Sequence, residues 1–91
     1  MDERLIDTIF QRAVATRRAG NPEVALKLLA LLPRAGSHGA AAAMTAGRIL
    51  LHDLGDARRA LPCFARAARE APRSRAALRL LGLVQRTKVA T

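Results

Sequence analysis

The chain has 91 residues, half of them hydrophobic, and a net charge of +9. That length allows one domain, residues 1–91, and the apolar content excludes a disordered chain. No apolar run nears the ~20 residues of a membrane span, and the start Met1-Asp2-Glu3-Arg4 lacks the apolar core of a secretory signal. The single cysteine, Cys63, cannot form an internal disulfide, so a cytoplasmic protein is expected. Ala and Leu supply most of the apolar mass, with Phe10 and Phe64 the only aromatics. These are helix formers, so the expected class is all-α.

The first helix is predicted over about residues 3–19, where Leu5, Ile6, Ile9, Phe10, Ala13 and Val14 recur at helical spacing. Gly20 stops it. Asn21-Pro22-Glu23 then reads as a helix start: Asn accepts a backbone N–H, Pro fits the first turn, and Glu meets the positive helix end. This second helix runs to about Leu32, ahead of Pro33 and Gly36. A loop is expected from Arg34 to Gly39, and a third helix over about residues 40–54, ending at Gly55. Asp56 caps a fourth helix through about Ala71, with Ala57, Ala60, Leu61, Phe64, Ala67 and Ala68 inward. Pro62 lies inside it and predicts a kink or a late start. Ser74 caps a fifth helix over about residues 75–88.

The punctuation is periodic. Gly20 and Gly55 stand 35 residues apart between helices, each followed five residues later by Ala25 or Ala60, and four after that by Leu29 or Phe64. Gly55, Ala60, Phe64, Ala67 and Pro72 match the turn glycine, small, aromatic, small and proline positions of the tetratricopeptide repeat. The chain therefore resembles that 34-residue helix–turn–helix family. Leu78, Leu81 and Gly82 resemble the start of a further, truncated unit. Gly47-Arg48 departs from the pattern, since the family prefers Leu and then a small residue there. Pro33 comes four residues early. The resemblance implies two degenerate helix hairpins plus a C-terminal capping helix, about five antiparallel helices in all. A plain five-helix bundle with accidental spacing is the alternative.

Chemistry is sparse. His38 sits in the expected Gly-rich loop, and His52-Asp53, adjacent in sequence, do not share a helix face. No metal spacing, phosphate loop or nucleophile motif occurs, so no enzyme activity, catalytic residue, metal or cofactor is expected. The charge is uneven. Seven Arg/Lys stand against six Asp/Glu in residues 1–56, but nine against Glu70 alone in residues 57–91. Arg58, Arg59, Arg66, Arg69, Arg73, Arg75 and Arg79 make nucleic-acid binding the alternative function, although no Trp or Tyr is present to stack bases.

The family resemblance instead implies a protein-binding module, an adaptor or small chaperone. Its concave groove, carried over position by position, is Phe10, Val14 and Arg17 from the first helix. Thr45, Ile49 and His52 come from the third, and Arg79, Leu83 and Arg86 from the fifth. That mixture of apolar and cationic groups suits an amphipathic helix or peptide with acidic residues. An Ile49→Asp change is expected to weaken such a partner without unfolding the chain. The family's clamp for a C-terminal carboxylate has Asn where Val14 and Ile49 stand, so that activity is not implied. Small degenerate members include chaperones of type III secretion needle subunits, which this chain is similar to in size and in its poor repeats. Two and a half repeats leave apolar ends, so a homo- or hetero-oligomer is expected.

Overall fold

The computed structural model describes residues 1–90, with side chains through Arg86. The chain is all-α, as expected. The helices are α1 (Glu3–Arg18), α2 (Pro22–Leu29), α3 (Gly36–Arg48), α4 (Ala57–Glu70) and α5 (Arg75–Ala90), with a π turn over Ile49–Asp53 after α3.

Local chemistry explains most of the boundaries. The Asp2 carboxylate accepts the Arg4 N–H at 3.3 Å, and Glu3 and Arg17/Arg18 complement the two ends of the α1 dipole. Gly20 takes a φ of 87°. The Gly20 N–H donates to Arg17 O and the Asn21 N–H to Thr16 O, which satisfies carbonyls that α1 leaves open. Gly55 takes the corresponding left-handed turn, φ 64°. The Asp56 and Ser74 side chains accept from Arg59 N (3.1 Å) and Ala77 N (3.2 Å), as predicted.

Four details differ from the sequence reading. The Asn21 side chain makes no capping bond, although its backbone angles resemble those of Asp56. α2 stops at Leu29, where the Leu31 and Leu32 N–H groups tighten into bonds to Leu28 O and Leu29 O. Pro33 disfavours α geometry at Leu32 and so forces the exit. α3 begins at Gly36, inside the expected loop, because Glu70 Oε2 accepts the Gly36 N–H at 2.8 Å. The sole acid of the basic half thus caps a helix 34 residues upstream. α4 starts on time and runs through Pro62, which faces solvent.

The helices pack as antiparallel neighbours: α1 on α2, α3 on α4, and α4 on α5. Their Cα atoms fill a slab of 40 × 30 × 16 Å. Ile6, Ala13, Ala25, Leu29 and Leu32 of the first hairpin form one core with Ala42 and Ile49. A second joins Leu50, Ala60, Phe64 and Val84, and a third joins Ala43, Ala67 and Ala77. Leu26 and Leu54 pack against both of the larger cores and tie the hairpins together.

A close approach in the second hairpin explains the residue that breaks the repeat pattern. Gly47 and Phe64 are both buried, and a Cβ on Gly47 would lie 2.6 Å from Phe64 Cε1. Gly47→Ala would gain about 1 kcal/mol of helix propensity. Pushing the ring aside costs about 1–3 kcal/mol, and the ring has no solvent-facing exit. The expected net result is a destabilised protein, read as a lower urea midpoint. An unchanged or higher midpoint would mean that the ring moves freely.

Candidate functional site

The last turns of α1 and α3 and the π turn border an open cleft of about 550 Å³. Val14 and Thr45, both half-buried, give it an apolar and hydroxyl lining, with Arg17 and Asp53 beside them. Arg17 Nε donates to Asp53 Oδ2 at 2.8 Å and Arg17 Nη2 to Oδ1 at 3.1 Å. This two-pronged pair crosses 36 residues of sequence and fastens the end of α1 to the π turn. The wider winding is visible in the Leu54 N–H, which reaches Ile49 O, and in the Asp56 N–H, which reaches Leu50 O at 2.7 Å. Asp53 is therefore presented from the segment where the helix departs from α geometry.

The hydrogen bond to Asp53, opposed by some desolvation, raises the Arg17 pKa. The same bond holds the Asp53 carboxyl below its usual range. A carboxyl lowered by folding stabilises the fold above its unfolded pKa of about 3.9, and that contribution disappears as pH falls through the lower folded value. The pair is partly exposed, so Asp53→Asn is expected to cost at most about 1 kcal/mol at neutral pH. Thermal melts should show that difference shrinking in strong acid and in high salt. An equal difference at about pH 2 would contradict an electrostatic origin.

The nine groove residues carried over from the repeat pattern separate in space. Val14, Arg17 and Thr45 share the cleft. Arg17 is already occupied by Asp53, so it does not offer the free cation expected of it. Phe10 lines a different cavity of about 200 Å³, with Ile6, Leu32 and His38 among its walls. Ile49 is fully buried in the first core and lines no groove surface. His52 is exposed one residue before Asp53. Arg79, Leu83 and Arg86 are exposed on α5, and none of the three lines the cleft.

Asp53 is the member that sequence reasoning missed. Beside His52 it reads as half of a solvated surface pair, and its partner lies in another helix. His38, expected in a loop, is in the first turn of α3, with Nε2 3.9 Å from Glu3 Oε1. That is a loose approach rather than a hydrogen bond. Among the described residues no group of three His, Cys, Asp or Glu side chains could hold a metal ion. Nor is any helix among them long and apolar enough to cross a membrane. The chain matches no protein-family model, no curated protein and no solved structure.

Proposed function

We propose that this chain is a non-enzymatic protein-binding module built from two degenerate tetratricopeptide-like hairpins and a capping helix. It acts as a cytoplasmic adaptor or small chaperone for an amphipathic helix or peptide. The observation that carries this reading is the open cleft between α1, α3 and the π turn, bordered by Val14, Thr45 and the Arg17–Asp53 pair. In the repeat family the first helix of each pair lines the binding face, and α1 and α3 hold that position here. The equivalent left-handed turns at Gly20 and Gly55 support the repeat. Their spacing exceeds the family period by one residue, and a π turn is the form in which a helix absorbs one extra residue. Within this reading, a needle-subunit chaperone is the most specific role.

The test is affinity purification of the tagged chain from its native cell, alongside Val14→Glu and Thr45→Glu chains. The expected result is a stoichiometric protein that both variants release while their melting temperatures stay close to that of the parent. A partner retained by both variants would contradict the cleft as the binding face. Nucleic acid recovered instead, with steep salt dependence, would favour the arginine-rich helices α4 and α5 as the working surface.

A further inference from the structure

A second groove, of about 230 Å³, runs between α2, α3 and α4 and shares no lining residue with the Val14–Asp53 cleft. Its apolar lining includes Leu26, Leu29 and Leu50. Three arginines, Arg34, Arg59 and Arg66, complete it, and no carboxylate lines it. Arg66 Nε is buried and has no hydrogen-bond partner among the described residues. A buried charged donor without an acceptor is costly and rare. The Arg59 guanidinium approaches the Asp56 carboxylate only at a long 3.9 Å. Cys63 lines the groove as well: burial pushes its thiol pKa up, while Arg66, Arg59 and Arg34 pull the other way.

The required occupant follows from this chemistry. Guanidinium groups seek a planar anion, and the leucines seek an aliphatic body. The volume lies below the ~300 Å³ at which small-molecule pockets begin, and fits an anchor side chain better than a cofactor. No aromatic ring lines the groove to stack a base. We propose that this groove binds an acidic peptide segment, with an aliphatic side chain against the leucines and flanking carboxylates paired to Arg34, Arg59 and Arg66. This goes beyond the cleft reading and stands on separate residues.

The probe is an array of 15-residue peptides in matched pairs, Leu or Ile anchors flanked by Glu or by Gln, with a single-stranded oligonucleotide as control. The expected result is that Glu peptides bind the full chain at least about tenfold more tightly than their Gln counterparts. They should also slow alkylation of Cys63, the only thiol. Arg66→Gln is expected to weaken binding about tenfold. Arg34→Gln, at an exposed position, should weaken it in the same direction. A Val14→Glu chain should bind these peptides as the parent does, which separates this groove from the cleft. Equal binding of Gln peptides, Cys63 alkylated at an undiminished rate in the saturated complex, or protection by the oligonucleotide in place of the peptides would each overturn the proposal.

Discussion

Phe64→Ala is expected to lower stability by about 3–5 kcal/mol. Total stability for a chain of this size is on the order of 5–15 kcal/mol, so the loss is a large fraction of the folding margin. The ring is fully buried, and its core neighbours include Leu50, Ala60 and Val84. Its face toward α3 lies against Gly47. Gly47 and Ala60 have almost nothing to move into the space, whereas Leu50 and Val84 can relax only in part, so a residual cavity adds to the lost burial. Urea denaturation would show a lower midpoint with an unchanged slope. Phe10→Ala is the control, because Phe10 is only half-buried and should cost clearly less. Equal losses at both phenylalanines would refute the assignment of Phe64 as the centre of the second hairpin.

The second large effect concerns Ile49. Read from the repeat pattern it belongs to a partner groove, and Ile49→Asp should then spare the fold. It is instead fully buried against the first hairpin at the start of the π turn. The substitution removes a large apolar side chain and asks the core to hold a carboxylate. The expected loss is above about 4 kcal/mol, enough to abolish a cooperative transition. The pH dependence has a definite sign. Burial raises the folded pKa of a new carboxyl above its unfolded value, so any residual stability is greatest in acid and falls as pH rises. Circular dichroism melts at acidic and neutral pH would test this. A variant that melts like the parent at neutral pH would mean that Ile49 reaches solvent.

These two sites also measure what could be read before the structure was known. α1, α4 and α5 were legible because their signals are local: apolar residues at helical spacing mark α1, and Asp56 and Ser74 cap the very next turns of α4 and α5. Gly20 and Gly55 marked the hairpin turns for the same reason. The start of α3 was not legible, because the group that caps it is Glu70, contributed from the end of α4. The break of the repeat pattern at Gly47 became intelligible only when the Phe64 ring was found against it. In the candidate site, Val14 and Thr45 are positions that the resemblance to the repeat family implies. Asp53 is not, since its place depends on a π turn for which Ile49–Asp53 carries no composition signal.

That turn sets an angle as well as a contact. Each residue of an α-helix advances the chain by about 100° around its axis, so one residue accommodated in π form resets the heading of everything that follows. Ile49 faces the first core and Leu50 the second, consecutive residues serving two different hairpins. Shortening Ile49–Asp53 by one residue would restore α winding and leave α4 and α5 turned away from the first hairpin. The Arg17–Asp53 pair would then have no common edge on which to meet. The turn is thus the phase setting between two helical units, and the shape of any surface they form jointly is fixed there.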